Sequence, residues 1–454
     1  MTVIDRATHT FPRHPSIPED RMTLLDLTPR TATAPRLDAL PVVVIGAGPI
    51  GLAAAANLVE RGIDVVVLEA GEEPAAAVRR WGHIRLFSPW RHLVDPASRR
   101  LLEASGWTEP DADAAPTGRE LVDAYVAPLA ELKPLRSRIR YGSRVLAVAR
   151  EGMDRTRSAG RETTPFVVRY ATADGVVELT ARAVIDASGT FDSPNPLGST
   201  GLDPLGAPDL GDRLVHPLPD VLGIDRARFA GRHTTVVGAG HSAANTLLAL
   251  ATLAESEPGT RITWLIRNDS AVRVSSSADD ELGDRAALGS RLDTLVRRGI
   301  VEKIDAFEIA TVERRAGGMR LIGMRRGAAS VHDTDLVVAA TGFRPDLSML
   351  REIRLGLDDI VEAPVRLAPL IDPNVHSCGT VEPHGFDELR HPEHGFFIVG
   401  MKSYGRAPTF LLATGYEQVR SVVAWIDGDM RAATQVELAL PATGVCSTDA
   451  GGCC

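Results

Sequence analysis

A glycine pattern that occurs twice constrains this chain more than any other feature. The first copy follows the apolar run Val42 to Ile45 and reads Gly46-x-Gly48-x-x-Gly51. The second follows Thr235 to Val237 and reads Gly238-x-Gly240-x-x-Ala243, with His241 and Ser242 inside it. Each copy opens an Ala- and Leu-rich helical stretch, which is the strand–turn–helix context a dinucleotide fingerprint requires. The first glycine permits the tight turn and the second lets backbone approach a diphosphate. The third small residue packs helix on strand, with the helix N-terminus facing the phosphates. One copy is weak evidence. Two copies in context predict an α/β fold of two Rossmann-like dinucleotide-binding domains in one chain.

The residues after each copy indicate which dinucleotides are held. Ile63 to Leu68 reads as a second strand ending at Glu69. A carboxylate about 20 residues past the glycines suits ribose hydroxyls and repels a 2′-phosphate, so this site fits FAD or NAD. Arg261 to Ile266 ends instead at Arg267. A guanidinium there matches a 2′-phosphate and points to NADPH. The competing reading of both residues is an ordinary surface charge at a strand end.

Length and charge fit a small-molecule enzyme. The 454 residues allow two or three domains, and the formal charge of −9 offers no basic face for nucleic acid. No apolar run reaches membrane-spanning length. The leader, residues 1–39, lacks the apolar core of a signal peptide, so a cytoplasmic location is expected. Loose order is expected there, although Met22 to Leu27 could dock on the body. Residues 40–215 and 345–440 should form a discontinuous FAD domain, because too few residues follow the last strand for a third nucleotide unit. Residues 216–344 should form an inserted NADPH domain, and 441–454 a flexible Cys-rich tail. Thr117 and Glu120 have capping-box spacing, so a helix should start there. Strands are expected over 144–148, 166–170, 176–180, 183–187 and 395–400, and a closing helix from about Pro408 to Trp425.

With these segments the chain resembles the two-dinucleotide-binding-domain flavoproteins, and within them the class B, flavin-containing monooxygenase-like enzymes, over roughly residues 40 to 430. The likeness rests on Gly46, Gly48, Gly51 and Glu69; on Ala187-Ser188-Gly189 with Pro194 and Pro196; on Gly231 followed by Gly238 and Gly240; and on Ala340-Thr341-Gly342-Phe343. It implies FAD and NADPH as cofactors. It also implies that a flavin-facing turn contains Gly400, and that the closing helix aims its N-terminus at the flavin, with Thr409 and Phe410 beside the ring. Several segments depart from the family pattern. His233 and His216 are off the usual histidine offset, the Gly-Gly-x-Trp segment is replaced by residues around Trp81, and a Gly-Asp pair is replaced by Gly400-Met401-Lys402. A further similarity, to flavoproteins that accompany arsenic-resistance genes, rests on His376-Ser-Cys378-Gly-Thr and on Lys402 through Thr409.

The chemistry follows partly by elimination. Disulfide reduction needs a cysteine pair near the flavin, and Cys378 is the only cysteine before residue 446. The resemblance implies oxygen activation instead, in which a flavin hydroperoxide oxygenates a soft nucleophile such as S, N or a metalloid. The partners are then dioxygen and a small-molecule or metalloid substrate, with self-association left open. The segment Trp81 to Arg91 is the candidate flavin-side wall, with His83 and Arg91 as candidate catalytic cations. Asn245 either faces the nicotinamide or caps packing. Cys446, Cys453 and Cys454 suit a thiophilic ion such as trivalent arsenic, mercury or zinc. Two alternatives stay open: a metalloid or thiol reductase working through the tail cysteines, and a flavin-bearing metalloid sensor or carrier.

Overall fold

The run Val42–Ile45 is β-branched throughout and buried at every position, as a parallel strand covered on both faces must be. A computed structural model describes residues 37–269, 283–372, 383–407 and 410–438. The expectations for residues 22–27, Cys378, Pro408, Thr409 and the three tail cysteines fall outside these residues.

Val42–Ile45 lies at the centre of a five-stranded parallel sheet. The order across it is Phe396–Ile398, Ala183–Asp186, Val42–Ile45, Val65–Leu68, Ile139–Arg140. The edge strand Phe396–Ile398 pairs with Ala183–Asp186 from far downstream in the chain, so the second nucleotide unit is an insertion in the first sheet. One face of the sheet packs on the helices Pro49–Glu60 and Leu412–Asp427. The other packs on an antiparallel sheet of Arg144–Arg150, Phe166–Thr172 and Gly175–Ala181. Thr117 accepts from the Glu120 N–H and Glu120 accepts from the Thr117 N–H, so the capping box forms around the start of a helix at Gly118.

The second unit repeats the plan. Its parallel sheet runs Glu302–Ile304, Arg261–Leu265, His233–Val237, Leu336–Ala339, Leu214–Val215. Leu214–Val215 hydrogen-bonds here, and Leu197 and Leu210 pack in this unit's core. The expected boundary at 215/216 therefore moves upstream, close to the crossover at Asn195. The region 307–334, within the expected NADPH domain, is an antiparallel meander of Phe307–Arg315, Gly318–Arg325 and Ala328–Thr334. The closing helix is described over Leu412–Asp427, where a span from about Pro408 to Trp425 was expected.

Two chain crossings join the units, and they pair with each other. Asn195 N donates to Gly342 O at 2.9 Å and Arg344 N to Ser193 O at 3.0 Å. The Thr341 hydroxyl donates to Asn195 O at 2.8 Å, and the Asn195 amide returns a bond to Thr341 O at 3.1 Å.

Candidate active site

A cavity of about 1060 Å³ opens at the carboxyl ends of the first sheet's strands, where open α/β sheets bind ligands. Gly46, Gly48, Glu69, Ser188 and Gly189 line it. The three glycines of the first turn serve different ends. Gly46 has φ +98°, and a Cβ there would stand 2.9 Å from Ala187 O. A Cβ on Gly51 would stand 1.9 Å from Gly46 O, whereas one on Gly48 would meet no protein atom within 4 Å. The open space therefore lies at Gly48, beside a helix N-terminus that no side chain caps. That cradle fits a diphosphate. Gly51 does not line the cavity; it lets helix and turn close.

Glu69 is 9% exposed, and its carboxylate is held in place from two sides. Oε2 accepts from Ala47 N at 2.6 Å and Oε1 from Gly71 N at 2.8 Å. Each oxygen keeps a lone pair, which suits two ribose hydroxyls.

The wall facing this cradle is Trp81, Ile84, Arg85, Leu86, Phe87 and Ser88. Two expected residues are absent from it. The turn Trp90–His92 buries Trp90 and sends Arg91 to the surface, where it pairs with Asp113. His83 lies between Gly82 and Ile84, whose carbonyls accept from Arg119 and Gly118, and it does not line the cavity. Its Nε2 is buried with no partner among the described residues. The candidate catalytic roles of His83 and Arg91 thus lose their geometric support.

His241, Ser242 and Asn245 of the second unit line the same cavity. Gly238 has φ +134°, with a Cβ position 2.0 Å from Ala340 O, and Gly240 opens on free space at an uncapped helix N-terminus. The Phe87 ring meets the His241 ring edge-on at 5.2 Å, so the wall of one unit touches the phosphate turn of the other. Arg267 is exposed at the end of Arg261–Leu265 and away from the cavity, where it donates to Ser199 O at 3.2 Å. Thr341 and Gly342 belong to the paired crossovers; Phe343, next in line, reaches the cavity and meets the Phe191 ring at a tilt, 5.5 Å between centroids. Arg80 lies 4.7 Å over the Phe191 ring and pairs with Asp192. Gly400 lines the cavity and donates from its N–H to the Gln418 side chain at 2.7 Å. Thr409, Cys446, Cys453 and Cys454 lie outside the described residues. Among the described residues no cluster of three metal-ligating side chains occurs.

Sequence reasoning missed a buried trio at the cavity floor. Lys402 Nζ lies 2.7 Å from Asp186 Oδ2 and 3.1 Å from Ser188 Oγ, and the Ser188 hydroxyl donates to Asp186 Oδ1 at 2.6 Å. An Asp inside the apolar strand Ala183–Asp186 was the available signal.

Comparison with known proteins agrees with this geometry. Residues 43–365, more than two thirds of the chain, match the family described as pyridine nucleotide-disulphide oxidoreductase. The chain belongs to that family. A ferredoxin–NADP reductase of Salinispora arenicola is 29% identical over 323 residues, covering 70% of this chain and 79% of the relative. The bacillithiol disulfide reductase of Bacillus cereus superposes with a TM-score of 0.63 at 21% identity, covering 86% of this chain and 99% of that one. The cadaverine monooxygenase of desferrioxamine biosynthesis from Erwinia amylovora, solved with FAD, gives 0.61 at 15% identity, covering 90% and 99%. At these identities the solved structures show the fold. Membership of this family makes the chain a pyridine-nucleotide-dependent oxidoreductase. Among its described residues no helix is long and apolar enough to cross a membrane.

Proposed function

We propose that the enzyme is an NADPH-dependent flavin monooxygenase. It consumes NADPH, a proton and dioxygen, and yields NADP⁺, water and a soft nucleophile (S, N or a metalloid) carrying one oxygen atom. The observation that carries this reading is the shared cavity. Gly46 and Gly48 of the first turn line it together with His241, Ser242 and Asn245 of the second unit, and none of the described residues lining it is a cysteine. Bound FAD supplies hydride acceptance from NADPH and electron delivery to dioxygen. The protein supplies orientation. Glu69 takes the FAD ribose, the Gly46–Gly51 turn its diphosphate, and Ser188, Gly189 and Gly400 flank it. Gly238, Gly240, His241 and Ser242 take the NADPH diphosphate, Arg267 its 2′-phosphate, and Asn245 the nicotinamide side. Trp81, Phe87, Phe191 and Phe343 exclude water around the reacting groups. Within the soft nucleophiles we include trivalent arsenic, because Cys446, Cys453 and Cys454 offer three thiols.

A second reading, an NADPH-dependent reductase delivering electrons to an external acceptor, is favoured by the relatives named ferredoxin–NADP reductase. The test supplies the holoenzyme with NADPH, labelled dioxygen and a thioether or arsenite. Labelled sulfoxide or arsenate supports oxygenation. Unlabelled product, with ferredoxin reduced anaerobically at the aerobic rate, rejects it in favour of the reductase.

A further inference from the structure

Phe87 belongs by position to the wall that faces the first glycine turn, yet it packs against the hydrophobic core of the inserted unit, the cluster that includes Val236, Ala243 and Leu247. Its ring meets the His241 ring edge-on, with 5.2 Å between centroids and 61° between planes. Both residues are half-buried and both line the cavity. The loop that carries Phe87 is braced on either side of it. Leu86 N donates to Pro116 O at 2.8 Å, Gly118 N to Ile84 O at 2.8 Å, and Trp90 N to Ala114 O at 3.0 Å. The ring is therefore presented to the second unit from a fixed strip.

His241 is the first residue of the helix His241–Ser256 and directly follows Gly240. A Cβ on Gly240 would meet no protein atom within 4 Å, so the Phe87 ring leaves the phosphate cradle open while it rests on the neighbouring residue. Ring contact and nucleotide can coexist, which makes Phe87 a cover and not a plug. The contact is also weak enough to open. Units of one chain move relative to each other unless their interface is large and apolar, and an edge-on ring pair is worth roughly two- to tenfold in an equilibrium beyond its burial.

We infer that Phe87 is a positioning residue for the pyridine nucleotide: it clasps the first unit's wall over the Gly240–Ser242 turn, and NADP⁺ leaves only when the ring parts from His241. The inference rests on the NADPH reading of the second unit and is independent of which acceptor takes the electrons. The test loads the FAD-containing full-length protein with NADP⁺, mixes it with excess 2′,5′-ADP in a stopped-flow instrument and follows the flavin absorbance as NADP⁺ departs. Phe87→Ala should release NADP⁺ at least threefold faster than the parent. Phe87→Leu keeps an apolar group against the second unit's core but loses the ring, so it should also release at least threefold faster. Where Phe87→Ala fails to fold, Phe87→Leu carries the test with the same limit. Acceleration below threefold in Phe87→Ala, or release from Phe87→Leu as slow as from the parent, reduces Phe87 to packing and overturns the assignment. Tighter equilibrium binding of NADP⁺ by Phe87→Ala overturns it too, because the ring would then occupy the nucleotide's place. A parent protein that binds FAD but no NADP⁺ would instead sink the NADPH reading itself.

Discussion

The first glycine turn predicts that two neighbouring Gly→Ala substitutions fail in different ways. At Gly48, the added methyl meets no protein atom within 4 Å, and φ is −75°, which alanine adopts readily. Alanine is a poorer N-cap than glycine but restricts the unfolded chain. These effects oppose each other, so the flavin-free protein should change by no more than about 1 kcal/mol. The methyl fills the space at the uncapped helix N-terminus, however. Displacing a diphosphate from one or two charge-assisted N–H bonds, at about 1.5–3 kcal/mol each, lowers FAD affinity about ten- to a hundredfold or more. At Gly51 the methyl would stand 1.9 Å from Gly46 O, so helix and turn must separate by more than an ångström. Overpacking of that kind costs roughly 1–3 kcal/mol without any ligand. Differential scanning calorimetry of flavin-stripped protein and FAD titration separate the two. Gly48→Ala should lose flavin and keep its melting temperature; Gly51→Ala should lose melting temperature first. Equal losses of melting temperature, or Gly48→Ala binding FAD like the parent, would refute this division of labour.

Two further outcomes are expected. Arg267→Ala should raise the KM for NADPH about ten- to a hundredfold and leave NADH nearly unchanged, as loss of one phosphate-bound guanidinium implies; steady-state kinetics with both nucleotides check this, and equal impairment would make Arg267 structural. Burial pushes the Asp95 carboxyl up from 3.8 to about 6, against the opposing bonds from Ser98 and Asn57. Because the folded value lies above the unfolded one, this group's contribution to stability is greatest below about pH 4 and is lost as pH rises toward 6. Asp95→Asn should therefore gain on the parent by about 3 kcal/mol between pH 4 and pH 7 in urea unfolding, and a difference independent of pH would contradict the burial argument.

The parts of the fold legible in the sequence were those set by local rules. The runs Val42–Ile45 and His233–Val237, the glycines that follow them and the Thr117–Glu120 box each act within a few residues. The antiparallel meander was missed, although the glycines at 317 and 327, both with positive φ, mark its two turns. In the site, Gly46, Gly48, Glu69, Trp81, Ser188, His241, Ser242, Asn245 and Gly400 were named from sequence and line the cavity. His83 and Arg91 do not, because the facing of side chains in an irregular loop depends on a partner segment, here residues 112–119, that no periodicity reveals. The pairing of Lys402 with Asp186 escaped notice because it spans 216 residues of sequence.

The insertion of one nucleotide unit inside the other also sets a schedule for synthesis. When the ribosome has delivered Thr341, the inserted unit has every strand of its parallel sheet. The first sheet does not: Ala183–Asp186 still lacks Phe396–Ile398 on its outer side. An apolar Ala-Val-Ile edge thus waits, unpaired, through roughly 200 residues of elongation, at about 5–20 residues per second. Open edges of that kind are templates for wrong partners. Flavin capture must come after that wait, because Gly400, Met401, Lys402 and Phe410 to Leu412, which all follow the missing strand, line the cavity. Chains released early, before residue 396, should therefore emerge with a finished pyridine-nucleotide half and an aggregation-prone flavin half.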